Sequence, residues 1–208
     1  MTICSKRDLE VFLSKLKNFE SPSLALEQYA TPSHIATAWI WDMALKGEVA
    51  GKIILDAGCG PGILGMGLLM MGAKKIFFVD KDQQALGICI KNYNNTKEEY
   101  EIGDAEFINH DISLFDEQVD AVVQNPPFGT KEIHADKKFL EKAFTSSKLV
   151  YSMHKITTRS FVEAICKDYK FRITNLQKFE FPIKASFQHH KKPVQNIEVG
   201  LWRMEGST

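Results

Sequence analysis

The tetrapeptide Asn125-Pro126-Pro127-Phe128 follows the strand-like run Val122-Val123-Gln124 and is the richest in chemistry of any stretch of this chain. An aromatic amine is a poor nucleophile because its lone pair is delocalised into the ring, so a catalyst gains by accepting hydrogen bonds from its N–H groups. The Asn125 side-chain oxygen and the Pro126 carbonyl can do that. Pro126 and Pro127 remove two amide donors and fix φ, which turns the carbonyls of the loop toward a target and limits its flexibility. Phe128 can then stack on a planar base. Group transfer by in-line displacement needs alignment above all, and no dedicated general base. Taken alone, such a tetrapeptide reads as a proline turn at a strand end; its place two strand-like runs after Asp80 gives it weight.

A second chemical segment is Asp56-Ala57-Gly58-Cys59-Gly60-Pro61-Gly62, where an apolar run from Ile53 enters a glycine-dense turn. Glycines there let a ligand approach the backbone closely. Gly60-Pro61-Gly62-Ile63-Leu64-Gly65 also satisfies the dinucleotide pattern, so the loop leaves NAD and S-adenosylmethionine both open. The carboxylates separate them. Asp80 at the end of the second strand suits the ribose hydroxyls of either cofactor. Asp111 after the third suits an adenine amine, and Asp56 suits the cationic amino group of methionine while repelling a pyrophosphate. Each aspartate alone could be an ordinary helix cap. Three at successive strand ends favour the methyl donor.

The elements that must position these residues follow from periodicity. Leu9, Phe12, Leu13 and Leu16 behind Ser5, with Asp8 in capping-box position, predict an opening helix. Thr31 as N-cap with Pro32 at the first helical position predicts a second, through Ile35, Ala38, Trp39 and Met43. Strands are expected at Ile53 to Asp56, Ile76 to Asp80, Glu106 to His110, Ala121 to Gln124 and Leu149 to Met153, alternating with helices. That alternation predicts an α/β, doubly wound, seven-stranded and mostly parallel sheet of Rossmann-like type. A helix with Phe161, Ala164 and Ile165 on one side should follow Thr157, and the segments 171–181 and 194–204 should pair as an antiparallel ribbon on the sheet edge.

The 208 residues, 44% hydrophobic and 25% charged, suit one domain, with residues 1–48 as a helical extension and 49–208 as the core. With 26 basic and 26 acidic residues the chain has no global attraction for a polyanion, so contact with nucleic acid must be local. The four cysteines lack a paired spacing, which predicts neither a metal site nor disulfides and fits a reducing compartment, cytoplasmic or nuclear. No membrane segment is expected.

The cofactor loop, Asp80, Asp111 and Asn125-Pro126-Pro127-Phe128 together resemble amino-methyltransferase motifs. With Leu26-Glu27-Gln28-Tyr29, Thr31, Phe128-Gly129-Thr130-Lys131, Phe139-Leu140 and Tyr151-Ser152-Met153-His154-Lys155, nearly the whole chain resembles the methyltransferase-like protein 5 family. It departs at Ala30, where the family has proline after the tyrosine, and at Ala135, where it has glycine before the aspartate. The resemblance implies N6-methylation of an adenosine in small-subunit (18S) ribosomal RNA, nucleolar work included. It also implies a heterodimer with a small zinc-containing activator subunit that adds a strand to the sheet edge, here residues 106–110. The expected cofactor set is Gln28, Tyr29, Thr31, Asp56, Gly58, Cys59, Gly60, Gly62, Asp80, Lys81, Asp111, Ile112 and Asn125, with Asn125, Pro126, Pro127 and Phe128 catalytic.

Lys184 to Pro193 joins the last two strands and concentrates cations with Phe187, which suits phosphate contact and base stacking; a solvated hairpin loop is the plainer alternative. The expected RNA-contacting residues are Lys131, His154, Lys155, Lys184, His189, His190, Lys191 and Lys192. Four other functions share parts of this pattern. A protein N5-glutamine methyltransferase uses a similar loop but carries a longer N-terminal domain than the about fifty residues before Asp56. A guanine N2 methyltransferase is compatible with the loop. A non-catalytic cofactor-binding subunit would not need Asn125, and a dinucleotide oxidoreductase would fail to bind the methyl donor.

Overall fold

The computed structural model describes residues 3–20, 22–23, 27–128, 135–184 and 194–207. Helix α1 (Lys6–Lys15) starts as its capping box predicts: the Ser5 Oγ accepts from the Asp8 amide, and the Asp8 carboxylate accepts from the Ser5 hydroxyl and the Cys4 amide. Leu9 and Leu13 are buried against helix α2 (Ser33–Leu45) and the sheet. Helix α2 begins differently from expectation. Pro32, not Thr31, occupies its N-cap and supplies no side-chain cap, because the Thr31 hydroxyl accepts from Asn125 instead. A tertiary partner has displaced the local one.

Five strands run in parallel: β1 (Ile53–Ala57), β2 (Lys75–Val79), β3 (Asp104–Ile108), β4 (Ala121–Gln124) and β5 (Leu149–Lys155). Two antiparallel strands, β6 (Phe171–Lys184) and β7 (Val194–Gly206), complete a seven-stranded sheet of order β3-β2-β1-β4-β5-β7-β6. Successive residues point to opposite faces, so each strand feeds two cores. Ile54, Phe78, Val123, Tyr151 and Leu201 pack with α1, α2, α3 (Ile63–Met70) and α4 (Gln83–Glu99). Leu55, Phe77, Val122, Val150 and Trp202 pack with α5 (Ala135–Ser146) and α6 (Arg159–Asp168).

Two expectations shift. β3 lies two residues earlier than residues 106–110, because its register is set by β2, with Lys75 opposite Asp104 and Val79 opposite Ile108. Asn109 then leaves the strand and donates to the Asp80 carbonyl at 3.0 Å. The buried face of α6 is Val162, Ile165 and Cys166, while Ala164 points to solvent.

Parallel strands place all carboxyl ends on one edge, and strand order reverses between β1 and β4, which opens a crevice there. Ala57 stands opposite Gln124 at that point. The β6–β7 ribbon overhangs the same edge. Its pairing passes the end of β5 at Lys155 opposite Val199 and continues to Lys184 opposite Val194.

Candidate active site

A cavity occupies the crevice and draws walls from several stretches of chain. It is lined by Gln28, Tyr29 and Thr31, by Asp56, Gly58, Cys59 and Gly60, by Asp80 and Lys81, by Asp111 and Ile112, and by Asn125 to Phe128. Twelve of the thirteen expected cofactor residues and all four catalytic ones therefore meet. Gly62 does not line the cavity. It caps α3 with φ of 88°, and a side chain there would collide with Cys89. Its glycine requirement is one of packing and backbone. Gly62→Ala is expected to cost about 1–3 kcal/mol of stability, measured by denaturant unfolding, through the strained φ and the displaced thiol.

The amides of the glycine loop are already used. Gly58 and Cys59 donate to the Val79 carbonyl at 2.8 and 3.1 Å, Gly60 donates to Asp80 Oδ2 at 2.7 Å, and Gly62 donates to the Cys59 carbonyl at 2.9 Å. Pro61 has no N–H. A pyrophosphate would find no cradle of free amides there, and it would face Asp56. Of the two cofactors open at the sequence level, the loop geometry fits the methyl donor.

Asp56 is buried and its Oδ2 accepts from the Gly65 amide at 2.8 Å. Burial pushes its pKa up to about 7, against the lowering effect of that hydrogen bond, and Asp80 adds to the rise. A buried acid of this kind fits a cationic ligand that restores its charge. Asp80 is raised in the same direction, again by burial first; its Oδ1 accepts from Asp82 and its Oδ2 from Gly60. Asp111 lies three residues beyond β3, caps the short turn Ile112–Leu114 and is held below the usual carboxylate range by the Ser113 hydroxyl and amide. Lys138 of α5 approaches it to 3.7 Å across the rim.

Gln28 lines the cavity but its amide is engaged elsewhere: Nε2 donates to Asp82 Oδ2 at 2.5 Å and Oε1 accepts from the Ser23 amide at 2.7 Å. Its role is that of a latch, fixing the segment before α2 to the N-terminal cap of α4. Asn125 donates from Nδ2 to Thr31 Oγ1 at 3.0 Å, while its buried Oδ1 has no hydrogen-bond partner among the described residues. The amide is thus oriented with its acceptor free. Phe128 is buried, nearly parallel to Tyr29 with ring centroids 6.1 Å apart, and edge-on to the fully buried Phe181 of the overhanging ribbon at 5.8 Å.

Sequence reasoning missed Phe19, Ile63, Leu64, His110, Lys138 and the cavity role of Phe139. The Phe139 ring lies 2.9 Å from where a side chain on Gly58 would begin. No periodicity marks these positions, since long-range packing brings them in. The Cys59 thiol is buried against Cys89, and burial raises its pKa well above the ordinary value, which makes it a poor nucleophile.

The residues expected to touch RNA divide. Lys155 ends β5 with its ammonium 5.7 Å from the Phe128 ring centroid. His154, by contrast, lies inside β5 and is buried, and desolvation lowers its pKa to about 3. A neutral buried imidazole makes no phosphate contact, so this assignment is corrected. Lys131, His189, His190, Lys191 and Lys192 fall outside the described residues; Lys184 ends β6, and its side chain falls outside them too. Among the described residues no group of three His, Cys, Asp or Glu could hold a metal ion, and no helix is long and apolar enough to cross a membrane.

Comparison with known proteins agrees with this geometry. Residues 40–152 match the methyltransferase small domain family. The chain is 33% identical over 210 residues to the rRNA N(6)-adenosine-methyltransferase Mettl5 of Drosophila melanogaster, covering 97% of each. It is 31% identical to METTL5 of Danio rerio, with 95% of this chain and 97% of that one covered. The crystal structure of a candidate RNA methyltransferase from Pyrococcus horikoshii matches with a TM-score of 0.90 and 35% identity over 100% of both chains.

Proposed function

The chain belongs to the methyltransferase small domain family and to that of the Mettl5 rRNA N(6)-adenosine-methyltransferases, and from that premise we propose that it methylates N6 of an adenosine in small-subunit (18S) ribosomal RNA. The observation that carries this reading is Asn125, which lines the same cavity as Asp56 and whose amide is tied by Thr31 with its buried oxygen left without a hydrogen-bond partner among the described residues.

S-adenosylmethionine supplies an electrophilic methyl group. Asp56 would hold its cationic amino end, Asp80 the ribose, and Asp111 with Ile112 the adenine. The chain's own contribution is alignment. The Asn125 Oδ1 and the Pro126 carbonyl accept from the target amine and localise its lone pair, while Phe128, wedged between Tyr29 and Phe181, presents a ring for the base. Exclusion of water follows from the wall formed by Phe19, Tyr29 and Phe139.

RNA contact is assigned to Lys155, beside the Phe128 ring, and to the basic segment that joins β6 to β7 in the sequence and lies outside the described residues. Lys155→Ala is expected to raise the KM for RNA about 3- to 10-fold with kcat little changed, and to reduce the slope of log affinity against log salt by about 1. Steady-state kinetics at several salt concentrations check this.

A small zinc-containing activator subunit would dock by strand addition to β3. The opposite edge is guarded: β6 carries a bulge at Ile173/Asn175, Pro182, and the charges Arg172, Lys178 and Glu180. β3 is short, and alternates half-buried Ala105 and Phe107 with exposed Asp104 and Glu106. The ladder offered is Asp104–Ile108. Assembly on nascent ribosomes would place the pair in nucleolus or cytoplasm.

The deciding experiment co-expresses the chain with such an activator and measures methyl transfer from labelled S-adenosylmethionine to unmodified small-subunit rRNA. Label recovered as N6-methyladenosine is expected. Label in a protein glutamine or in guanosine would refute the substrate and leave the cofactor intact.

A further inference from the structure

A buried polar chain runs under the start of the Asn125 loop. Gln124, the last residue of β4, donates from Nε2 to Ser152 Oγ at 2.9 Å, and Ser152 Oγ lies 2.6 Å from His154 Nε2. The Ser152 oxygen accepts from Gln124 and shares a short hydrogen bond with Nε2 whose direction follows the tautomer of the imidazole. On the other side of the ring, Nδ1 faces Asp136 Oδ2 at 3.9 Å. All four side chains are buried, and none lines the cavity.

Such a chain is costly to bury where apolar side chains would complete the surrounding cluster of Val122, Val150, Leu140 and Trp202. What it joins explains its presence. Gln124 directly precedes Asn125, and Asp136 stands in the first turn of α5, whose Lys138 and Phe139 wall the cavity. The start of the segment that leaves β4 at Asn125 is thereby held to β5, and the first turn of α5, where that segment returns, packs beside His154.

We infer that His154 is a positioning residue for methyl transfer: its hydrogen bond fixes Ser152, Ser152 holds Gln124, and Gln124 sets the angle at which Asn125 leaves the sheet. The inference rests on the reading of Asn125 as the group that meets the target amine.

The test compares His154→Leu, His154→Gln and Ser152→Ala in the chain co-expressed with its activator. Measured are kcat and KM for rRNA, the Kd for S-adenosylmethionine by calorimetry, and amide hydrogen exchange over residues 121–128. Gln keeps a group that can hydrogen-bond Ser152 in either direction; Leu does not. Leu at 154 and Ala at 152 are expected to lower kcat about 10- to 100-fold, as a small misplacement of a reacting group does, with cofactor Kd within about threefold of wild type. Exchange should rise at 121–128 in both and return toward wild type, with kcat, in the Gln variant. The idea is overturned if kcat survives in Leu and Ala variants, or if Gln rescues nothing, or if cofactor affinity falls in step with kcat. Should Leu not fold, Ser152→Ala and Gln still decide. Should wild type label no RNA, the functional reading fails, and the contrast in exchange between the Leu and Gln variants still tests the brace.

Discussion

Asn125→Ala is expected to lower kcat for methyl transfer about 100- to 1000-fold while leaving the affinity for S-adenosylmethionine within a few-fold, the range seen when one preorganised group facing the transition state is removed. The side chain donates to Thr31 and leaves Oδ1 buried and unpaired, and an unpaired buried acceptor is expensive unless a ligand uses it. On the proposed function, the target amine is that ligand. Thr31→Val should act through the same group: its loss frees the amide to rotate, so kcat falls about 10-fold, and the double variant should be no worse than Asn125→Ala. Additive losses in this cycle would mean that Thr31 acts on something other than Asn125. Single-turnover kinetics with saturating cofactor separate these outcomes from slow product release.

Affinity for the methyl donor is expected to rise with pH up to about 7 and then level off, because of Asp56. In the free protein burial raises this carboxyl to about 7, so below that pH it is mostly protonated. A cationic ligand favours the ionised form, and binding must then expel the proton. The affinity gains at most tenfold per pH unit below about 7 and nothing above. Calorimetry in two buffers of different ionisation heat should show proton release at about pH 6 and none at about pH 8. The same shift has the opposite consequence for the unliganded fold. A carboxyl that binds its proton more tightly when folded loses stability as pH rises, here between the ordinary value of 3.8 and about 7. Asp56→Asn should flatten both profiles, stabilise the unliganded protein near neutrality, and weaken the methyl donor about 10- to 100-fold there, since a buried charged partner is gone. Proton uptake on binding, or a pH-independent affinity in the wild type, would remove Asp56 from contact with the cationic end of the ligand.

The identity of the chemical groups was legible in the residues themselves. Strand runs such as Ala121 to Gln124, the capping box at Ser5, the glycine turn after Asp56 and the proline pair after Asn125 are set by neighbours within a few positions, where periodicity and backbone constraint act. Because parallel strands share one carboxyl edge, the three aspartates and Asn125 could be placed together from their strand-end positions alone. Relations between distant segments could not be read that way. Thr31 looked like a helix cap and is the tether of a residue 94 positions away. Gln28 lines the cavity as expected, but its bond to Asp82 was not legible; Gly62 looked like part of the cradle and makes room for Cys89. His154 was expected just beyond the strand and is buried within it, because pairing with β7 extends β5 to Lys155. In each case the local pattern allowed two roles of similar energy, and strand order and burial, which no short window of sequence contains, selected one.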